Sequence, residues 1–216
     1  MGRLALVRHG ETVGNSSIRY YGRTDVELSE LGRRQMRAAR QWLRERFGVT
    51  GFAPVIASPL RRAGEGAAII AGADRAIVKL KEFVEVDFGR FEGLTADEIR
   101  LRYPQDFKRW NRNRLDPGFT YPGGESRAAF TDRVERGIQR MLEVIDGASA
   151  REEDLATGGD GAALVVAHRG VIRIIVKRMV GVEPAVELGS IQVLEEAGPA
   201  RAWRAETIDA AGDLEV

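Results

Sequence analysis

The chain has 216 residues, 44% of them hydrophobic, a length and composition that allow it to bury a full core. Its 33 basic and 32 acidic residues leave a net charge of +1, which excludes a global field that would draw the protein to nucleic acid or to an anionic membrane. Cysteine is absent, which excludes disulfides, a thiolate nucleophile and sulfur ligands for a metal.

The N-terminal segment MGRLALVRHG has only a short apolar run before Arg8, which is less than a signal peptide requires. No apolar stretch approaches the length of about 18 residues that would suggest a membrane span. We therefore expect neither kind of segment, and the expected location is the cytoplasm.

The first half of the chain alternates short apolar runs with helical patterns, which is typical of α/β folds. Arg3–Val7 is the first predicted strand, and a long polar loop over residues 10–28 follows it. Ser29 is suited to cap the next helix, whose apolar residues recur at the 3.6-residue spacing. The following predicted elements are a strand at Pro54–Ala57, a helix from about Leu60 to Ala71, and a strand at Ala76–Lys81.

An inserted, cap-like segment is predicted at residues 94–125. Residues 95–114 have a helical pattern that Pro104 interrupts, and turn residues fill the stretch from Pro117 to Glu125. We expect this helical insertion to lie over one edge of the sheet, above the active site.

The core resumes after the insertion with a long amphipathic helix from Ser126 and a glycine-rich surface loop at 147–161. The remaining predicted elements are a very apolar strand at Ala162–Ala167, a helix at Val171–Val180, and edge strands at Ile191–Glu195 and Ala202–Thr207. No linker divides the chain, so we predict one domain over residues 1–216. The predicted fold is a three-layer, doubly wound α/β fold whose mostly parallel sheet is flanked by helices. The exposed edge strand near 191–207 is compatible with pairing to a second subunit in a homodimer, and the alternative is an edge that its charges protect from pairing.

The chain's two histidines, His9 and His168, each follow an apolar strand, where α/β folds place reactive groups. The first lies in RHGET, with Asn15 close behind. An anion would fit there, because the guanidinium of Arg8 offers a planar fork of donors and Gly10 lets the backbone approach closely. The alternative is a surface arginine beside a half-buried histidine.

The second charged motif, SPLRRA, places Arg61 and Arg62 in the first turn of a helix. Cations there oppose the helix dipole, so an arginine at this position makes more sense if it shares a bound anion with the helix terminus. Spacing alone does not rank the two, and a solvated pair is the alternative for both.

The second histidine lies in AHRG, where His168 precedes a helix with Gly170 near its start. Free backbone amides are expected around this imidazole, and a phosphate would accept hydrogen bonds from both. A core histidine bonded to the backbone is the alternative.

The fourth motif, EFVEVDFGRFEG at 82–93, is a carboxylate-rich loop. One of its acids, held against apolar groups such as Val84 and Phe88, would keep its proton near neutral pH and serve as a general acid. For any single acid a solvated charge is the alternative.

The motifs RHGET, SPLRRA, EVDFGRFEG, YPGGES and AHRG together resemble the histidine phosphatase superfamily, also called phosphoglycerate mutase-like, in order and in spacing. The resemblance extends from residue 3 to about residue 195. It implies a nucleophilic histidine at His9, phosphate-binding arginines at Arg8 and Arg62, a second histidine at His168 and an acid/base at Glu85.

The resemblance also resolves the two open choices. It favours Arg62 over Arg61, because the family's arginine directly precedes the alanine. It favours Glu85 over Glu82 or Asp87, because the family's acid lies four residues before the position of Gly89.

The resemblance implies a metal-independent phosphatase without a cofactor, acting on a sugar phosphate or another small phosphorylated metabolite. Neutral His9 attacks phosphorus, a protonated His168 and the arginines hold the charge, and Glu85 protonates the leaving oxygen. Water then hydrolyses the phosphohistidine. Mutases of the family typically carry a longer insertion after the acid-bearing loop, so a cofactor-dependent phosphoglycerate mutase is the first alternative. A catalytically idle, phosphate-binding regulatory module is the second.

This chain departs from the family pattern after the second histidine, where Arg169 replaces the usual glycine. We hypothesise that Arg169 adds to the anion field or contacts a second acidic group of the substrate, the alternative being a guanidinium in solvent. Phe91 replaces a common tryptophan and should alter packing only. Further substrate contacts are expected from the long loop and the insertion, with Asn15, Tyr20, Tyr21, Gly22, Arg23, Arg109, Arg112, Arg114 and Tyr121 as candidates. For the charged run at 108–114, a solvated helix face is the alternative.

Overall fold

The computed structural model describes residues 2–47, 52–154, 162–197 and 202–209. Its centre is a six-stranded sheet in the order β3-β2-β4-β1-β5-β6. The strands are β1 Arg3–Arg8, β2 Val55–Ala57, β3 Ile77–Lys79, β4 Ala162–Ala167, β5 Ile191–Ala197 and β6 Ala202–Ile208. The first four strands of this order run parallel, and β5 and β6 are antiparallel to their neighbours. The predicted α/β fold with a mostly parallel sheet is confirmed.

Helices cover both faces of the sheet, because alternate residues of each strand point to opposite sides. The helices are α1 Glu30–Phe47, α2 Arg61–Ala71, α3 Ala96–Arg102, α4 Pro104–Arg112, α5 Arg127–Asp154 and α6 Arg169–Val180. Along β1, Ala5 and Val7 belong to a core shared with α1 and α2, whereas Leu4 and Leu6 belong to a core shared with α5 and α6. The result is the predicted three-layer arrangement.

The inserted segment is anchored by aromatic packing on the α5 and α6 side. The capping box of Thr95 and Glu98 opens α3, and Pro104 opens α4 as its first residue, where its missing N–H costs nothing. Trp110 and Tyr121 are buried in the core of that side. The segment is therefore fixed to the body of the protein by its own hydrophobic residues.

Several element boundaries differ from the sequence prediction, and the largest difference is at the end of α5. The loop predicted at 147–161 is wrong over 147–154, where α5 continues, and residues 155–161 lie outside the described ranges. Gly147 is tolerated because it is exposed and costs only about 1 kcal/mol relative to alanine in a helix. The helix α6 begins at Arg169 rather than Val171, and β3 ends at Lys79 because a 3₁₀ turn begins at Lys81.

Across the described parts of the chain, no helix combines the length and the apolar character needed to span a membrane.

Candidate active site

The two histidines lie side by side because they end neighbouring parallel strands. Arg8 of β1 pairs with Ala167 of β4, and each histidine is the next residue along its strand. The His9 amide donates to the Ala167 carbonyl at 3.1 Å. Both imidazoles are buried, and their ring centroids are 5.1 Å apart with an interplanar angle of 65°.

The hydrogen bonds of His9 assign its tautomer. Nδ1 lies 2.7 Å from the Gly10 carbonyl, to which it can only donate, and Nε2 accepts from Nε of Arg62 at 3.2 Å. Burial, followed by the charges of Arg62 and Arg8, holds the pKa of His9 well below its ordinary value. The imidazole is therefore neutral at pH 7, with the Nε2 lone pair free of a proton.

The guanidinium of Arg62 organises the loop beside His9. Its Nη1 donates to the Thr24 carbonyl at 2.8 Å, and its Nη2 donates to the carbonyls of Gly22 at 2.6 Å and Tyr21 at 3.2 Å. Burial lowers its pKa. By contrast, Arg61 is exposed and pairs with Glu27 at 2.9 Å. The structure thus brings Arg62, and not Arg61, to the histidine.

The imidazole of His168 is fully buried, with Nε2 2.8 Å from the hydroxyl of Ser58 and with Nδ1 lacking any partner. Burial and the charge of Arg62 hold the pKa of His168 well below its ordinary value. In the free protein this imidazole is neutral. The imidazolium that the resemblance implies would need the negative charge of a phosphoryl group beside it.

The carboxylate of Glu85 is held between the acid-bearing loop and α6. Its Oε1 accepts from the Val86 amide at 3.0 Å, and its Oε2 accepts from the Gly170 amide at 2.9 Å. A Cβ on Gly170 would lie 2.5 Å from Oε1, so this position admits only glycine without a shift. The early turn of α6 therefore holds both His168 and the carboxylate.

The guanidinium of Arg8 donates through Nη1 to the Val186 carbonyl at 2.9 Å, and its Nε is buried without a partner. Burial, followed by repulsion from Arg169, lowers the pKa of Arg8 to about 10. It stays positively charged at neutral pH, with an unused buried donor beside His9.

A cavity of about 290 Å³ brings several of these groups to one opening. Its reactive and charged lining residues include His9, Arg8 and Glu85. Arg169 and Glu187 form an ion pair at the mouth of the cavity. The other lining residues are Ser16, Ser17, Ile18, Arg19, Tyr20, Tyr21, Phe88 and Leu188. In the described ranges no group of three or more His, Asp and Glu side chains is arranged to hold a metal.

Two of the predicted loop contacts lie outside this lining. Asn15 is exposed and adopts a left-handed conformation with φ of 65°, and its carbonyl accepts from the amides of Ile18 and Arg19. The amide of Gly22 is used by Glu92 at 3.1 Å. Both residues therefore shape the loop around the cavity.

The remaining candidates divide into two groups. Tyr20 and Tyr21 line the cavity, and Arg169 lies at its mouth with Nη2 3.5 Å from Oε1 of Glu187. The other candidates lie elsewhere, in a neighbouring groove, at the exposed surface or packed against aromatic rings, and these are Arg23, Arg109, Arg112, Arg114 and Tyr121.

Sequence reasoning missed the role of Glu92, which it considered only as one of several acids that were either a proton donor or a solvated charge. Its carboxylate accepts from the amides of Gly22, Arg23, Thr24 and Phe88 and from the Thr24 hydroxyl. These donors come from two separate loops. The only available signal was its place in the carboxylate-rich loop.

A family model described as the histidine phosphatase superfamily (branch 1) matches residues 4–196, and the chain belongs to this superfamily. It is 40% identical over 148 residues to a bifunctional protein of Mycobacterium tuberculosis, a match that covers 68% of this chain and 39% of that protein. It is 36% identical over 143 residues to phosphoserine phosphatase 1 of Hydrogenobacter thermophilus, with 65% of this chain and 64% of that protein covered. The chain thus spans well under half of the first relative and less than two thirds of the second.

The fold is similar to that of a mycobacterial glucosyl-3-phosphoglycerate phosphatase solved in complex with VO₃. The two share a TM-score of 0.74 and 27% sequence identity, over 97% of this chain and 99% of the other. Relatives named as phosphatases therefore resemble this chain in both sequence and fold.

Proposed function

We propose that the protein hydrolyses a small phosphomonoester through a phosphohistidine on His9. The observation that carries this proposal is the tautomer of His9, whose Nδ1 is tied to Gly10 while Nε2 keeps its lone pair inside a cavity that also holds Glu85 and Arg8. A nucleophile, a proton donor and an anion-binding guanidinium are the parts that phosphoryl transfer requires.

In the first step, Nε2 of His9 bonds to phosphorus as the bond from phosphorus to the leaving oxygen breaks. Glu85 gives its proton to that oxygen, so the leaving group departs as a neutral alcohol. A phosphoryl oxygen takes over the Nε–H of Arg62 and thereby frees the lone pair. The guanidiniums of Arg62 and Arg8 balance the charge on the remaining oxygens, and His168 joins them once the phosphoryl group raises its pKa.

In the second step, water gives a proton to the carboxylate of Glu85 and bonds to phosphorus, and the bond from phosphorus to Nε2 breaks. Inorganic phosphate leaves, and both His9 and Glu85 return to their starting states. The fixed cations supply the charge stabilisation that a metal provides in other phosphatases.

The cavity volume favours a sugar phosphate or another small phosphorylated metabolite. Arg169 at the mouth favours a leaving group with a second anionic group, and the names of two relatives, phosphoserine phosphatase and glucosyl-3-phosphoglycerate phosphatase, denote substrates of this kind. We include both of these esters in the substrate panel.

The test measures phosphate release from a phosphomonoester panel in the presence of a chelator, beside an assay for 3-phosphoglycerate isomerisation. We expect release without added metal, and an acid-labile, base-stable phosphoenzyme after rapid quenching. His9→Ala should abolish both signals while the protein still binds inorganic phosphate. Isomerisation without release would favour the mutase, and silence in both assays would favour the idle module. An active His9→Ala protein would remove His9 as the nucleophile.

A further inference from the structure

Arg133 of α5 and Glu125 form a two-point ion pair outside the active-site cavity. Nε of Arg133 donates to Oε1 of Glu125 at 3.0 Å, and Nη2 donates to Oε2 at 2.7 Å. Their side chains are only 21% and 18% exposed. Paired geometry of this kind fixes orientation as well as charge, because the guanidinium and carboxylate planes must align.

The remaining donors of Arg133 bind the backbone of the segment that carries Glu85. Nη1 donates to the carbonyls of Glu82 at 2.9 Å and Val84 at 2.8 Å, and Nη2 lies 3.5 Å from the carbonyl of Glu85. This segment runs from one 3₁₀ turn, Lys81–Phe83, to the next, Gly89–Phe91, and lies outside the sheet. Its carbonyls therefore depend on donors from elsewhere in the fold, and Arg133 supplies three of them.

Glu125 binds the same segment from its other end. Its amide donates to the Asp87 carbonyl at 3.0 Å, and its Oε2 accepts from the Asp87 amide at 3.5 Å. Arg133 and Glu125, which we call the loop clamp, thus bind the chain on both sides of Glu85. The segment cannot shift along α5 without breaking several of these bonds together.

The position of Glu85 has little tolerance. Its carboxylate accepts from the amide of Gly170, where an added Cβ would lie 2.5 Å from Oε1 and 2.9 Å from a ring carbon of Phe130. The guanidinium of Arg133 lies over that same ring, 5.1 Å from its centroid. The clamp and the active-site end of α6 are therefore packed against one side chain.

We propose that Arg133 and Glu125 are positioning residues for the proton transfer by Glu85. This inference rests on the proposed function, because it takes Glu85 as the proton donor to the leaving group. The clamp holds the carboxyl within hydrogen-bond reach of the leaving oxygen. A displacement of about 1 Å is enough to cost a large part of such an effect.

Leaving groups of different acidity separate this role from a general structural one. p-Nitrophenolate is a good leaving group and departs without being protonated, whereas an alkoxide is a poor leaving group and needs a proton from a general acid. The test compares kcat/KM for p-nitrophenyl phosphate with that for the fastest alkyl ester of the panel, because kcat/KM reports the steps up to phosphoenzyme formation. The variants are Arg133→Gln, Arg133→Lys and Glu125→Gln. The matched control is Arg136→Gln, since Arg136 is an exposed residue one turn further along α5.

We expect Arg133→Gln and Glu125→Gln to lose about tenfold or more in kcat/KM on the alkyl ester, because a misplaced general acid loses part of its roughly 10²-fold or larger effect. On p-nitrophenyl phosphate, the loss should be less than about threefold, because this ester does not need the proton. Inhibition by inorganic phosphate should be unchanged. Arg133→Lys should recover part of the loss, and Arg136→Gln should match the wild type. Equal losses on both esters would overturn the proposal, as would no loss on either.

Glu85→Gln separates this inference from the proposed function. If Glu85→Gln loses activity selectively on the alkyl ester and the clamp variants do not, the clamp proposal alone fails. If Glu85→Gln affects both esters equally, the assignment of Glu85 fails with it. Should Arg133→Gln not fold, Glu125→Gln and Arg133→Lys decide the outcome by the same ratio.

Discussion

Nε of Arg62 donates a hydrogen bond to Nε2 of His9 at 3.2 Å, so the unprotonated nitrogen of this imidazole faces a buried cation. The same guanidinium binds three carbonyls of the 21–24 loop. One side chain therefore fixes both the proposed nucleophilic nitrogen and the loop beside it.

Replacing Arg62 by lysine should strongly reduce activity, because an ammonium cannot reproduce the planar set of donors. We expect kcat/KM to fall about 10²- to 10³-fold, the usual cost of losing a preorganised donor to the transition state. Steady-state kinetics on the best ester of the panel measures this. Arg61→Lys is the matched control, because the Arg61 guanidinium is exposed and pairs with Glu27, and we expect a change of less than about twofold. Similar losses in the two variants would contradict the assignment.

Glu92→Gln should disturb the loop that Arg62 contacts. An amide nitrogen would replace one acceptor oxygen and face backbone N–H donors, at a cost of about 1–3 kcal/mol. We expect kcat/KM to fall at least about tenfold, and urea unfolding should show the lost stability. Glu27→Gln, at an exposed pair, should change neither quantity measurably. Wild-type kinetics and stability of Glu92→Gln would show that the hydrogen bonds to the Glu92 carboxylate are dispensable.

The loop after His9 approaches the start of α1 closely. A Cβ on Gly10 would lie 2.6 Å from Cα of Gly32, and one on Gly32 would overlap the Glu11 carbonyl. Gly32→Ala should therefore destabilise the protein by about 1–3 kcal/mol, measured by urea unfolding. Gly64→Ala in α2 is the control, because nothing lies within 4 Å of its Cβ position, and it should add about 0.5–1 kcal/mol. Equal effects at the two positions would argue against the close approach.

Stability should fall as the pH drops below about 6.5, the ordinary pKa of histidine. The pKa values of His9 and His168 are held well below that value by burial and by Arg62. Between the two pKa values the unfolded chain binds protons that the folded chain does not, so protonation favours unfolding. Each histidine should contribute a slope of about 1.4 kcal/mol per pH unit, and above pH 6.5 their contribution should be complete.

Urea unfolding between pH 5 and 8 measures this slope, and the lower limit keeps most carboxylates ionised. His168→Gln should remove the part of the slope that His168 contributes and leave the part that His9 contributes. A flat profile between pH 5 and 6.5 would mean that the imidazoles accept protons in the folded state.

The strands and the positions of the two histidines were predictable because local sequence determines them. Continuous apolar runs predict buried parallel strands, and a histidine after such a run lies at the strand end wherever the strands pair. The choice between Arg61 and Arg62 was not predictable from spacing, because both lie in the first turn of α2 and only the position of the 21–24 loop separates them. The family resemblance supplied that choice.

The contacts of Glu92 and Arg133 were not predictable, since their donors and acceptors lie tens of residues away or in another element. The cluster of arginines at 109–114 was equally hard to interpret. Charge and position left substrate contacts and a solvated helix face as alternatives, whereas Arg109 and Arg114 lie over the rings of Phe119 and Trp110. Cation–π packing of this kind depends on tertiary neighbours that composition does not reveal.

The paired histidines and the loops that line the cavity come from different parts of the fold. The spacing of His9 and His168 follows from the hydrogen-bond ladder of adjacent parallel strands, which lie about 4.8 Å apart. Most of the cavity lining beside His9 comes from loops around residues 16–21 and 187–188. Loops accept insertion and exchange far more readily than a central ladder does. Sequence changes confined to these two loops should therefore alter the shape of the cavity while the two histidines keep their spacing.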